Sequence, residues 1–239
     1  MKITMDFYLD DTCISFEQFS QLYPEESKIL ASFRSNNTSL RIKNGRFEIA
    51  YGNVKGIRID IETQLAYHQK FFSKTSPYKQ PLARALGLKR ETVQSLHVLD
   101  ATAGLLGDSL LIQALGVKQH TVCERHPLLF ALIRNALSHH PLPVSCFFMS
   151  ALDLKQNFDV IFFDPMYQQV NKKTAPKKEM VFMREIVGAD PDAKETASLL
   201  KNKCKRLVIK RSSKTAHLLE GVHHTVQGKS TCYDIYLNI

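Results

Sequence analysis

Asp100, Glu124, Ser150, Asp164 and the Lys210-Arg211 pair each stand at the end of a short apolar run in this 239-residue chain. Polar groups that close strands are where an open α/β sheet holds its ligands, because the crevice lies outside the carboxyl ends of the strands. Spacing sharpens the first two. Asp100 opens a loop of small residues, Ala101 to Gly107, after which Asp108 to Leu115 follow a helical pattern and Gly116 is a stop signal. His120 to Cys123 read as a strand, and Glu124 follows about twenty residues after the loop, the separation at which a nucleotide-binding βαβ unit brings an acid to ribose hydroxyls. Backbone N–H groups can approach a ligand where side chains are this small. Gly104 and Gly107 do not make the GxGxxG pyrophosphate fingerprint, so the expected ligand is S-adenosylmethionine (SAM) rather than a dinucleotide. From this stretch alone, a Rossmann-like turn with no ligand stays open.

Asp164-Pro165-Met166-Tyr167 follows the apolar run Phe158 to Phe163 directly. It resembles the [DN]PP[YF] motif of methyltransferases that modify exocyclic amines of bases. An exocyclic nitrogen is a poor nucleophile because its lone pair is delocalised into the ring. A carboxylate that accepts its N–H bond, helped by a carbonyl near the proline, orients the amine and draws the lone pair towards the methyl. The aromatic fourth residue stacks on the base. Transfer from a sulfonium is an in-line displacement, so positioning and electrostatics are most of what a protein supplies. The plain alternative for D-P-x-Y is a turn after a buried strand.

The elements that must hold these groups alternate as α/β after residue 90. Pro127 starts a helix, Val144 to Phe148 and Phe158 to Phe163 are strands, and the second is apolar enough to be buried on both faces. Asp190 to about Lys203 is expected as a helix, with Asp192 in its first turn and lysines near its end, as the macrodipole favours. Arg206 to Lys210 is a further strand, and Val222–Val226 and Cys232–Leu237 close the sheet around Gly228-Lys229. The N-terminal part reads differently. Phe16, Phe19, Leu22 and Tyr23 have helical spacing, Leu40 to Tyr51 alternates around Asn44-Gly45 as a hairpin, and Ile57, Ile59 and Ile61 give a third strand of a small antiparallel sheet. Tyr67 to Lys89 forms a basic connector in which Lys70, Lys74, Lys79 and Arg84 interleave with Phe71, Phe72 and Tyr78. Such a mix can grip an RNA backbone and stack bases, or it can be a solvated linker whose aromatics pack inward. The expected division is a small α+β region, 1–79, and a SAM-dependent methyltransferase domain, 80–239.

Composition narrows the partners. A formal charge of +9 and a pI near 9.3 favour an acidic partner, nucleic acid first. The five cysteines (Cys13, Cys123, Cys146, Cys204, Cys232) show no ligand spacing, and no three of the nine histidines have zinc spacing, so no metal is expected. No GxSxG elbow supports a serine hydrolase. The first residues lack an apolar h-region and no run approaches membrane-spanning length, which makes a cytoplasmic location the expectation.

VLDATAGLLGDSLLIQALG, CERHPLLFALI, FDVIFFDPMY, KKEM, VGADPDA, RLVIKR and GKSTCYDIY, in this order, resemble the ribosomal small-subunit methyltransferase J family over roughly residues 80 to 239. That resemblance implies a seven-stranded class I SAM-dependent methyltransferase fold whose last strand is antiparallel. It also implies methylation of a guanine N2 in 16S ribosomal RNA. It places cofactor contacts at Gly107, Asp108, Glu124, Arg125, Ser150, Ala151 and Asp164, beside the Asp100, Ala101 and Gly104 of the loop. Asp164, Pro165 and Tyr167 are the expected catalytic set. Lys172, Lys173, Lys177 and Lys178 follow the DPMY turn and, with Lys210 and Arg211, are expected to neutralise RNA phosphates. Three departures stand out. The family's loop reads DATAGLGRD, so Gly107 replaces an arginine; paired serines become Ser150-Ala151; and a glycine-rich stretch is replaced by the glycine-free segment from Phe71 to Lys79. Two other readings remain at this level: an adenine-N6 or DNA amino-methyltransferase, and a non-catalytic RNA-binding relative, which Gly107 alone would favour.

Overall fold

The computed structural model describes residues 5–35, 37–52, 54–166 and 178–238. In chain order its elements are β1 (Asp6–Leu9), β2 (Thr12–Ile14), α1 (Phe16–Leu22), α2 (Pro24–Leu30), β3 (Thr38–Lys43), β4 (Arg46–Tyr51), β5 (Val54–Ile57), α3 (Ile61–Phe72), α4 (Pro81–Leu86) and β6 (His97–Asp100). They continue with α5 (Gly107–Ala114), β7 (Gln119–Glu124), α6 (Pro127–His139), β8 (Val144–Phe148), β9 (Phe158–Phe163), α7 (Lys178–Phe182), α8 (Ala193–Lys201), β10 (Cys204–Ser212), β11 (His224–Gln227) and β12 (Thr231–Leu237). Contacts group these into two compact units. One holds the described residues of 1–61, 126–142 and 168–188; the other holds those of 62–125, 143–167 and 189–239. The chain therefore leaves the second unit after β7 to build α6, and again after β9 to build α7. Among the described residues no helix is long and apolar enough to cross a membrane.

In the first unit five strands are ordered β2-β1-β3-β4-β5. Asn44 and Gly45 both take positive φ, 51° and 74°, the geometry a two-residue hairpin needs to match strand twist. Asn135 of α6 fixes that hairpin: it accepts the Phe47 N–H at 2.8 Å and donates to the Gly45 carbonyl at 2.9 Å. The sheet is not wholly antiparallel, as the alternation suggested, because β1 runs parallel to β3. The expected strand through Ile59 and Ile61 is also corrected. β5 ends at Ile57 and α3 begins at Ile61; all three isoleucines are buried, so their alternation marks burial without marking a strand.

In the second unit seven strands are ordered β11-β12-β10-β9-β6-β7-β8. Strands β10, β9, β6, β7 and β8 are mutually parallel, and β12 is antiparallel to both its neighbours. Alternate residues of the central strands feed two cores, as a period of two requires. Val98, Val160, Phe162 and Val208 pack with Leu82 and Leu86 of α4 and Ile112 of α5. Leu99, Ile161, Phe163, Leu207 and Ile209 pack with Ala193, Ala197 and Leu200 of α8. Helices thus cover both faces, and the ends of β6, β7, β8, β9 and β10 point the same way.

Candidate active site

The loop after β6 is pinned at Asp100, whose side chain accepts the Thr102 N–H at 3.0 Å and the Ser109 hydroxyl at 2.5 Å. Burial raises this carboxyl to about 7, against the pull of those two hydrogen bonds. Asp100 is therefore a brace between the loop and α5. Further along, the Ala103 N–H donates to the Cys123 carbonyl and the Gly104 N–H donates to Glu124 Oε2 at 2.8 Å, tying the loop to the end of β7. Gly104 has φ +55° and Leu106 has φ +62°. A left-handed leucine is unfavourable by roughly 1–2 kcal/mol, and here it is only 2% exposed, so packing holds it there. Gly107 opens α5, and a Cβ on it would meet nothing within 4 Å.

Three charged groups converge beside this loop. Lys210, on β10, donates to Asp108 Oδ2 at 2.6 Å and to Asp164 Oδ2 at 2.7 Å. The Asp164 N–H donates to Thr102 Oγ1 at 2.7 Å, so the loop and the end of β9 share a hydrogen bond. Burial pushes the Asp164 carboxyl up, to about 6, although Lys210 draws it down. Burial works against the Lys210 ammonium too, but the two carboxylates outweigh it and hold its pKa above the ordinary lysine range. One positive charge faces two negative ones, and among the described residues the other Asp164 oxygen accepts no hydrogen bond.

The turn after Asp164 has its own clamp. Asp190 Oδ2 accepts the Met166 N–H at 2.7 Å, and the Asp190 N–H donates to the Met166 carbonyl at 3.0 Å. Arg125, next to Glu124, donates to Asp190 at 2.6 Å and to both oxygens of Asp192 at 2.6 and 2.9 Å. The Arg125 guanidinium, through hydrogen bonds, holds the Asp192 carboxyl down at about 2 against a small burial effect.

The family model of SAM-dependent methyltransferases (SAM_MT) matches residues 23–238. A ribosomal RNA small subunit methyltransferase J of Hahella chejuensis is 38% identical over 189 residues, 74% of this chain and 70% of the relative. Its counterpart in Thioalkalivibrio sulfidiphilus is 35% identical over 199 residues, 76% of each chain. The chain belongs to the methyltransferase J family. A solved SAM-dependent methyltransferase of Neisseria gonorrhoeae shares the fold at a TM-score of 0.56 and 20% identity, covering 97% of this chain and 95% of that one.

As a methyltransferase J relative the chain is a SAM-dependent enzyme with the class I fold, and its residues fit that cofactor. The acid at the end of β7 is already tied to the glycine loop, and the space beside Gly107 is open. Ser150 and Ala151 close β8; the Ser150 hydroxyl accepts the Leu152 N–H at 3.3 Å and caps a short 3-10 turn. The structure brings Asp100, Ala101, Gly104, Gly107, Asp108, Glu124, Asp164, Pro165 and Lys210 together at neighbouring strand ends. It gives three of the expected residues ion-pair partners within the chain. Lys210, expected at RNA phosphates, lies between Asp108 and Asp164 because strand alternation turns it to the site. Arg211, expected at RNA phosphates, turns the other way and is 9% exposed, with its guanidinium on Asp234. Arg125, expected at SAM, directs its guanidinium to Asp190 and Asp192. Tyr167, Lys172, Lys173 and Lys177 lie outside the described residues, as does the side chain of Lys178 at the start of α7.

Thr102, Asp190 and Leu106 are site residues that the sequence did not mark, Asp190 being expected only as the start of a helix that begins at Ala193. The first two sit inside the quoted DATAG and GADPDA motifs. The third was visible by superposing DATAGLLGD on DATAGLGRD, which puts leucine where the family has glycine. Among the described residues no group of three or more His, Cys, Asp or Glu could hold a metal ion.

Proposed function

We propose that this enzyme transfers the methyl group of SAM to the exocyclic N2 of a guanine in 16S ribosomal RNA. The observation that carries the reading is the Asp164 carboxylate, set at the end of β9 beside the loop and Glu124, with one oxygen on Lys210 and its backbone N–H on Thr102. SAM supplies, when bound, an electrophilic methyl on a positively charged sulfur. Everything else falls to the chain. Glu124 takes the ribose hydroxyls, Ala101 to Asp108 wrap the methionine side, and Ser150 with Ala151 borders the adenine. Asp164 accepts an N–H of the guanine amine through its remaining oxygen and aligns the lone pair, and it takes the proton the nitrogen sheds as the N–C bond forms and the methyl–sulfur bond breaks, that bond's electron pair staying on the sulfur as a neutral thioether. Pro165 offers a carbonyl to the same amine and Tyr167 stacks on the base. Lys172, Lys173, Lys177 and Lys178 face the phosphates. The names of the relatives support the substrate, the net charge of +9 suits it, and such a substrate sets the work in the cytoplasm. In this reading residues 80–239 carry catalysis and residues 1–79 assist.

The test is transfer of labelled methyl from SAM to unmodified small ribosomal subunits, followed by nucleoside analysis. Labelled N2-methylguanosine that disappears with Asp164→Ala supports the reading. Labelled N6-methyladenosine would move the substrate, and RNA binding without SAM binding would leave only a binding protein.

A further inference from the structure

Helix α3 has two unlike faces. Phe72, near its end, and Tyr78 just beyond pack against the core cluster that contains Leu82, Val208 and Tyr233. Tyr233 stands opposite Lys210 in the β10–β12 register, and Lys210 reaches Asp164. The helix is thus anchored beside the catalytic strand ends, within the same unit.

Its other face carries Tyr67, Lys70 and Phe71, spaced i, i+3 and i+4, so they form one stripe, and Lys74 lies in the turn just past the helix end. Tyr67 is 66% and Phe71 41% exposed, and both lysines are exposed. A helix normally turns such an apolar pair inward, because each ring left in water forgoes roughly 1.5–3 kcal/mol of burial. Glu62 is the only acid in the helix, and among the described residues no carboxylate pairs with Lys70 or Lys74. Aromatic rings interleaved with unpaired lysines answer one ligand chemistry well: bases to stack and phosphates to neutralise.

We propose that this stripe of α3 is the seat of the single-stranded RNA segment flanking the target guanine, which rests on the RNA methyltransferase reading above. The aromatic pair stacks unpaired bases and the lysines meet the adjoining phosphates. Anchored through Phe72 on the core cluster that contains Val208 and Tyr233, the stripe fixes where the strand lies when the target base reaches Asp164.

The test reads RNA binding directly, by fluorescence anisotropy of unmodified single-stranded RNA with the full-length protein, so it does not depend on turnover. Tyr67→Ala/Phe71→Ala should weaken binding about 10- to 100-fold, as loss of one or two stacked bases would. Lys70→Gln/Lys74→Gln should flatten the plot of log affinity against log salt by about 1.4, at roughly 0.7 per phosphate contact on a single strand. SAM affinity and melting temperature should be those of the parent in both variants. RNA affinity unchanged in both would overturn the inference. So would loss of self-association in sedimentation by the aromatic variant with RNA affinity intact, which would make the stripe an interface between copies. A parent protein that binds RNA through α3 but methylates no guanine would instead sink the proposed reaction alone.

Discussion

Lys210 and Arg211 are neighbours on β10, and each joins an ion-paired centre of opposite character. At Lys210 one ammonium serves two carboxylates, all three groups between 24% and 33% exposed, and an Asp164 oxygen is left over. At Arg211 one guanidinium serves one fully buried carboxylate, Asp234, whose every lone pair is answered. Oδ2 faces Arg211 Nε at 2.6 Å and His217 at 2.7 Å, while Oδ1 accepts from Arg211 at 3.1 Å and Thr225 at 2.7 Å. Arg211 Nη1 donates to the Ser212 and Thr215 carbonyls. A saturated network fixes a shape, whereas an unsaturated one can still bind something. The difference separates a structural centre from a reactive one more cleanly than residue type does.

That contrast can be broken by substitution, and the largest effects should fall on opposite measurements. Asp234→Ala leaves the buried Arg211 without its partner and should cost about 3–5 kcal/mol of stability, read by urea denaturation, while turnover of the folded fraction survives. Asp164→Ala should do the reverse, lowering kcat by about 10²–10³-fold, the scale of a lost charge-stabilising group, with melting temperature and SAM affinity nearly unchanged. A stability loss at Asp164 equal to that at Asp234 would end the distinction.

Smaller effects sharpen it. Asp190→Ala unclamps Met166 and should lower kcat about tenfold through misplacement of Asp164, with the Kd for SAM retained; an equal loss in both would make Asp190 a cofactor residue. In the proposed reaction Asp164 must be ionised to accept the amine hydrogen, and burial raises its carboxyl to about 6. Activity should therefore fall as pH drops through about 6 and level off above it. Lys210→Met removes the charge that favours the carboxylate and should move that rise to higher pH. At the other centre the sign is opposite. Burial would raise the Asp234 carboxyl, but hydrogen bonds from Arg211, His217 and Thr225 win and lower it below the ordinary value. Its stabilising contribution is present above the usual aspartate range and is lost as pH falls through and below it. His217 is half exposed, so His217→Ala should cost about 1 kcal/mol or less.

Much of this was legible in the chain because the physics is local. Apolar runs ended by a polar residue placed Asp100, Glu124, Ser150 and Asp164 at strand ends, and Asn-Gly fixed the β3–β4 hairpin. What stayed hidden depends on partners distant in sequence. Nothing near Asp190 says that Met166 lies against it, 24 residues away, and nothing in β1 says that it pairs parallel to β3. Alternation at Ile57, Ile59 and Ile61 reports buried positions, which a strand end followed by a helix start satisfies as well. The split between Lys210 and Arg211 was within reach, since adjacent strand residues point to opposite faces, but only the fold says which face is the site.

Leu106 carries a different kind of consequence. Where a glycine holds a positive φ, the loop prefers its working shape by itself, whatever the rest of the molecule does. With leucine there, the local preference is for another shape, and only the seating of its side chain imposes this one. The loop after β6 is thereby made a dependent of the hydrophobic interior. Anything that loosens that interior, heat or a distant cavity, should blur SAM binding before the fold itself gives way.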